Sequence, residues 1–405
     1  MVFLYNFIVF VSFTLLCAEC TMQGAKKKKK ETVEQVSTAE VPKEVPSHKN
    51  QFSVRVLLDE KEHAALSSEP WKLTSKQGFF VTDPNEKNKK TKTDVQKLAI
   101  SIKNGQLLIN NKKVGTQVLL APQGETISLN DNRYRGSLLI IVDGATVKLI
   151  NCINMEEYVA CVLMTESWPG WPLEVNKVFA IACRTYVIAM VKAAKTSKQL
   201  YHVKNTNKHQ TYRGEHDTQI FKDAVEQTKG LFLTYNNKPI TAMYDACCGG
   251  VIPAHMHGVN FKDSPYLARK NACTFCSDAK VFSWEIDYHI DALTSIIQKE
   301  VPSIKRVKDC RVTKKDRAGI VKEVTLKGHT HVSLTGKKVY SIVKGVKSFC
   351  FNAHKSGSTI TFKGHGLGHH MGLCQWGTKG MVDQGYEYPE ILEFYYPGTA
   401  LMRIV

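Results

Sequence analysis

The stretch Lys363–Gly377, KGHGLGHHMGLCQWG, sets Gly364, Gly366, Gly368, Gly372 and Gly377 among three histidines and Gln375. Glycine costs about 0.5–1 kcal/mol relative to alanine inside regular structure, but it tolerates positive φ and close backbone approach. This density predicts a loop that brings backbone against something, not a packing element. His365 and His369 are four apart, the spacing of two ligands on one helical face. The residue after His365 is glycine where a zinc peptidase has glutamate, and the glycines forbid a stable helix, so a metallopeptidase is not indicated. Cys374 with His369 or His370 offers a thiol–imidazole pair, the arrangement of a cysteine-dependent amidase. Beyond the loop, 375–384 reads as a helix stopped by Gly385, and a second helix runs from Tyr388-Pro389 to Tyr396-Pro397-Gly398.

Upstream, the pattern turns helical at Asn154, a capping residue followed by Glu156 and Glu157 in the first turn and by Met155, Tyr158, Val159, Val162 and Leu163 at helical spacing. Glu166 falls at the end of this helix, just before Trp168-Pro169-Gly170-Trp171-Pro172. A carboxyl held beside two indoles is raised in pKa by desolvation, as a general acid working near neutrality requires; a plain capping or ion-pairing role is the alternative. Pro172 is placed to open the next helix, with Val175, Val178, Phe179, Ala182, Tyr186, Ala189 and Met190 on its apolar face. Lys177 and Arg184, seven residues apart, fall two turns along another stripe, about 10 Å of helix axis, and suggest a cationic ladder for sugar carboxylates or carbonyls.

Three blocks carry a resemblance: Tyr158–Tyr186 (YVACVLMTESWPGWPLEVNKVFAIACRTY), Tyr244–Gly250 (YDACCGG) and the glycine–histidine loop. In this order they resemble the stage II sporulation protein D family, which includes the amidase enhancers, over roughly residues 51–405. The family's last block is close to G-x-G-H-G-x-G-[LM]-S-Q; here His370 stands where glycine is usual and Cys374 where serine is usual. The resemblance implies a lytic transglycosylase of peptidoglycan with Glu166 as catalytic residue. It implies substrate-binding roles for Arg184 and Tyr186 of the R-T-Y signature, Gln210 of the Q-x-Y-x-G stretch, Tyr244, His369 and Gln375, with Lys177 secondary. The implied reaction uses no water. Glu166 protonates the glycosidic oxygen between N-acetylmuramic acid and N-acetylglucosamine, then helps remove the proton from the muramic 6-hydroxyl as it attacks C1, leaving a 1,6-anhydro end. A hydrolytic glycosidase pairs two carboxylates about 5–9.5 Å apart, and no second acid is signalled; Glu174 reads as solvated.

The 405 residues, 43% of them hydrophobic, have a globular composition. Short alternating or apolar runs from 51 to 153 read as strands, and the whole as α+β: a β-rich N-terminal part, then a mixed catalytic core with a cleft over 154–405. Residues 1–24 read as a signal peptide or N-terminal anchor and 25–50 as a basic linker, so a periplasmic or extracytoplasmic location is expected. The formal net charge is +18, and Lys299–Lys363 holds sixteen Lys or Arg against four Asp or Glu, a balance of +12. No nucleic-acid-binding motif accompanies it, and an anionic partner such as glycan bearing free lactyl carboxylates is expected; membrane lipid and a merely solvated face are the alternatives. The expected partners are peptidoglycan glycan strands and an N-acetylmuramoyl-L-alanine amidase. No cofactor is expected. Of twelve cysteines, Cys247, Cys248, Cys273 and Cys276 are the one group with a chelating pattern, with His255 or His257 as further candidates. A C-C pair followed by one C-x-x-C is a weaker zinc signal than two C-x-x-C knuckles, and disulfide pairing is the simpler alternative in an oxidising compartment.

Overall fold

A computed structural model of the chain describes residues 33–36, 53–83 and 89–404. The expected signal or anchor segment and most of the expected linker lie outside the described residues. The fold is α+β, with a strand-rich N-terminal region. It divides into two compact units, one chiefly of residues 41–232 and the other of 233–401. The passage from 153 to 154, expected to separate two parts, lies inside the first unit.

The first unit contains two sheets whose strands obey the period of two. In Lys97–Lys103, Leu98, Ile100 and Ile102 are buried while the residues between them face outward. Strand 97–103 belongs to a six-stranded sheet. A seven-stranded sheet runs 203–204, 53–62, 146–154, 137–143, 117–122, 79–83 and 89–93 in spatial order. Its longest pair, Ser53–Glu62 and Thr146–Asn154, is antiparallel over nearly its whole length. The short helix α1 (His63–Ser68) follows the first of these strands; Asn154 ends the second and caps α2 (Met155–Glu166), its Oδ1 accepting from the amides of Glu156 at 2.8 Å and Glu157 at 3.4 Å. The sheet therefore passes into the helix without a linker and fixes its direction. Ser167 caps α2, and α3 spans Leu173–Thr196 with Pro172 at its N-cap, one residue earlier than expected. α4 is Gln219–Gln227.

In the second unit, two three-stranded antiparallel sheets (283–289, 359–365 and 351–356; 309–315, 321–327 and 331–334) share a core of residues such as Leu293, Ile304, Val324, Phe351 and Phe362. The basic segment 299–363 is thus folded rather than a tail. Several of its cations have local partners, including Lys314 with Glu323 and Arg311 with Asp309. The short strand Tyr244–Asp245 lies parallel to Leu373–Cys374, and the following helices span Gln375–Asp383 and Tyr388–Tyr395.

Candidate active site

Glu166 occupies the last position of α2 and is half-buried. Its Oε1 accepts the backbone N–H of Thr211 at 2.8 Å, while the Thr165 hydroxyl donates to the carbonyl of the same Thr211 at 2.5 Å. The segment 210–212 is itself tied down from behind. Tyr158 donates to Gln210 Oε1 at 3.0 Å, Tyr212 donates to Asn151 of the sheet at 2.6 Å, and the two tyrosine rings stack at 5.4 Å. On the other side, the Ser167 hydroxyl bonds Asn176 Oδ1 at 2.6 Å, and the Asn176 amide donates to the carbonyls of Trp171 and Pro172. The proline turn is thereby locked. One carboxylate is thus held by a sheet, two helices and a loop, all within one unit.

The expected indole wall is open to solvent at Trp168. Trp168 is 52% exposed, and Trp171 packs on Phe179 with ring centroids 6.4 Å apart. Tyr186 and the fully buried Tyr158 both feel the Glu166 charge, and of the two Tyr186 is the less buried. Burial, and then the Glu166 charge, push its hydroxyl up to about 12. It is half-buried, and its hydroxyl has no hydrogen-bond partner among the described residues. It is therefore a neutral donor throughout the physiological range.

Three expected binders are corrected. Arg184 is fully buried, and all its N–H groups have protein acceptors. Nε and Nη2 grip the Glu156 carboxylate at 3.0 and 2.6 Å, Nη1 donates to the carbonyls of Leu231 and Ala180, and Nη2 also to that of Val225. It joins α2, α3, α4 and the strand after α4, and cannot reach a sugar. Gln210 is also fully buried, its amide nitrogen 3.4 Å from the Cys183 carbonyl. The segment serves Glu166 through the backbone of Thr211, and the glutamine buttresses that backbone. Lys177 pairs with Glu174 at 3.0 Å, so no cationic ladder exists. Sequence spacing finds the stripe but not which way the protein interior lies. Asn176 and Thr211 were missed; the S-x-P turn before α3 was the only signal for the first, and a backbone donor leaves no signal for the second.

The glycine-rich loop belongs to the second unit and turns on its own neighbours. A Cβ on Gly372 would lie 1.9 Å from the Met243 carbonyl oxygen, and one on Gly368 would lie 2.5 Å from the Asp245 side chain. Backbone approach occurs as expected, but to the strand Tyr244–Asp245. His370 has φ +67°, the left-handed region, where the family's usual glycine would fit without strain. Its amide donates to Asp245 Oδ2 at 2.6 Å; its Nδ1 lies 2.9 Å from the Cys248 carbonyl oxygen, and its Nε2 accepts from the Phe349 amide. His369 accepts from the Met371 amide and hydrogen-bonds the Tyr244 backbone, and burial pushes its imidazole down to about 4. Both imidazoles are committed, so neither activates Cys374. Cys374 is fully buried, its sulfur accepting the amides of Cys248 and Gly377. The thiol–imidazole reading is thereby overturned. The loop does bring His369 beside Tyr244, with Gln375 half-buried at the start of the next helix.

The chelating group is also corrected. Cys248, Cys273, Cys276 and Cys374 place their sulfurs within 4.8 Å of one another, all buried. Cys374 takes the place expected for Cys247, and neither His255 nor His257 joins them.

Residues 143–235 match the SpoIID family model, described as Stage II sporulation protein. That span contains Glu166, its Thr211 donor, Tyr186 and the Arg184–Glu156 pair. Over that span the chain is similar to the SpoIID family, and the likeness extends to an amidase enhancer and to stage II sporulation protein D. It is 29% identical to an uncharacterized protein of Brachyspira hyodysenteriae over 73% of this chain and 79% of that one. To the amidase enhancer of Bacillus subtilis it is 28% identical, over 75% of this chain but only 49% of the relative. To stage II sporulation protein D of Bacillus subtilis it is 26% identical, over 62% of this chain and 74% of the relative. Among the described residues no helix is long and apolar enough to cross a membrane.

Proposed function

We propose that the chain is a peptidoglycan lytic transglycosylase, acting outside the cytoplasm in cell-wall remodelling during division or sporulation. Likeness to this family supports the cell-wall or sporulation role. The observation that carries the chemistry is Glu166, a half-buried carboxyl at a helix end, oriented by one backbone amide and close to the neutral Tyr186 hydroxyl. Protonated, Glu166 gives its proton to the glycosidic oxygen as the C1–oxygen bond of muramic acid breaks. The carboxylate left behind keeps the Thr211 hydrogen bond, which favours the charged form. It then takes the proton of the muramic 6-hydroxyl as that oxygen bonds to C1. Atoms and protons balance without water, and the acid is regenerated. Glu174, the next acidic side chain along, is engaged by Lys177.

The basic segment 299–363 supports a preference for denuded strands, whose lactyl carboxylates are free. The relative named amidase enhancer supports a second reading, a non-catalytic glycan-binding activator of an N-acetylmuramoyl-L-alanine amidase. One experiment separates the two. Denuded and peptide-bearing glycan are incubated with wild-type and Glu166→Gln protein, with and without an amidase, at about 0.1 and about 1 M salt, where the Debye length falls from about 10 to about 3 Å. Mass spectrometry should find anhydromuramyl ends with the wild type, about 10²–10⁴-fold fewer with Glu166→Gln, and a preference for denuded strands that narrows in high salt. Near wild-type turnover by Glu166→Gln overturns the catalytic assignment. Wild type that leaves no anhydro ends but accelerates the amidase establishes the second reading instead.

A further inference from the structure

The four-sulfur cluster lies wholly in the second unit and plays no part in the chemistry assigned to Glu166. Cys248 and Cys276 are 3.8 Å apart at sulfur, and Cys273 and Cys276 are 3.9 Å apart. A tetrahedral site with zinc–sulfur bonds of about 2.3 Å has sulfur–sulfur edges of about 3.8 Å. A disulfide would need about 2.05 Å. These two edges match a metal-centred tetrahedron, and the remaining ones, all within 4.8 Å, need to close by no more than about 1 Å.

The surroundings supply hydrogen-bond donors and a positive charge to the sulfurs. Cys374 Sγ accepts the backbone amides of Cys248 at 3.2 Å and Gly377 at 3.3 Å, and the Tyr395 hydroxyl lies 3.1 Å from Cys273 Sγ. Arg269 donates to Cys248 Sγ at 3.8 Å. Its guanidinium is only 2% exposed, and no carboxylate lies within the 4.0 Å of an ion pair among the described residues. A buried cation needs counter-charge close by, and the buried Asp245, which acts on it electrostatically, is not in ion-pair contact with it. Four thiolates around a divalent ion carry a net charge of −2 and supply it.

We propose that Cys248, Cys273, Cys276 and Cys374 bind one zinc ion in a closed, structural tetrathiolate site. Each thiol releases its proton to solvent as its sulfur bonds the metal. With four protein ligands there is no open position for water or substrate, so the ion is a staple and not a Lewis acid. It ties the segment after Tyr244 and the C-x-x-C turn to the start of the helix that begins at Gln375. Cys374 stands where the family usually has serine, so the complete ligand set is a property of this chain and not a transfer from its relatives.

The test uses the full chain purified after expression with added zinc and, separately, reduced chain reconstituted with zinc or with cobalt(II). Elemental analysis should give about one zinc per chain, and the cobalt form should show the thiolate charge-transfer and tetrahedral ligand-field bands of a four-sulfur site. Cys276→Ser and Cys374→Ser should lower the zinc content towards zero, whereas Cys247→Ser and Cys350→Ser should retain it. The cobalt spectrum of the unaltered chain decides the matter even if a variant fails to fold. Absence of zinc from both preparations overturns the proposal, as does peptide mapping that finds these four residues joined in disulfides in chain that cannot be loaded after reduction. Equal zinc content in all four variants also overturns it.

Discussion

The neighbourhood of Glu166 and the loop Lys363–Gly377 are both rich in polar groups, yet they use them in opposite ways. Around Glu166, Arg184, Gln210, Asn176 and Tyr158 are spent on holding a scaffold, while the half-buried Glu166 carboxyl, itself bonded to Thr211, and the Tyr186 hydroxyl stand at its rim. In the loop, His370, Cys374 and the glycines are spent on the loop's own close contacts, with the strand Tyr244–Asp245 as the surface approached. The densest motif in the sequence is mainly architecture. The chemistry we propose stands at the end of an ordinary helix.

The largest expected effect breaks the scaffold around Glu166. Glu156→Ala leaves Arg184 buried without its carboxylate and also removes the acceptor of the Gly230 amide. Removing one partner of a buried pair costs about 3–5 kcal/mol. Denaturant melts should show that loss, while Glu166→Gln should melt like the wild type. The Glu156→Ala, Arg184→Met double variant should recover part of the stability, because no uncompensated charge remains. If Glu156→Ala instead keeps its stability and weakens glycan binding, Arg184 faces substrate and the division between scaffold and site is wrong.

That division also marks what could be read from the residues alone. The cap at Asn154, the helix end at Glu166 and the helix stop near Gly385 are local, set by side chains within a few positions of one another, and each was expected. Arg184 and Gln210 were placed in the site because helical spacing gives the angle between side chains but not the direction of the core. Their partners, Glu156 and Tyr158, lie 28 and 52 residues away. Cys374 was missed as a ligand for the same reason: it meets Cys248 across 126 residues, and only the parallel pairing of Tyr244–Asp245 with Leu373–Cys374 brings them together. His370 is a further case. It stands where the family usually has glycine, and its φ is positive, a link that was not drawn from the residues alone.

A middle-sized effect is expected in the loop at Gly372, and comparison with Gly385, beyond the following helix, separates strain from crowding. Gly372 and Gly385 both have positive φ, +72° and +88°, but a Cβ on Gly385 would meet nothing within 4 Å whereas one on Gly372 would strike the Met243 carbonyl. Gly385→Ala should cost about 1 kcal/mol through backbone conformation alone. Gly372→Ala adds a forced shift of backbone and should cost about 1–3 kcal/mol more. Thermal melts of the two variants measure the difference. Equal losses would mean that the loop is not pressed against Met243 and that its glycines serve something else.

The smallest effect tests the rim itself. Tyr186 and Arg184 stand two residues apart on α3, one half-buried beside Glu166 and the other sealed inside. Tyr186→Phe removes only a hydroxyl that no described protein group uses, so the melt should not change. If the hydroxyl donates to the sugar or to the departing oxygen, its loss forfeits about 0.5–1.5 kcal/mol, or roughly 2–10-fold in the rate of anhydromuramyl end formation. A change in kcat with KM unaltered would place that bond in the transition state; a change in KM alone would place it in ground-state binding. An unchanged rate would leave Glu166 as the one polar group of this neighbourhood that acts on substrate. A lowered melting point with an unchanged rate would move Tyr186 to the scaffold beside Arg184.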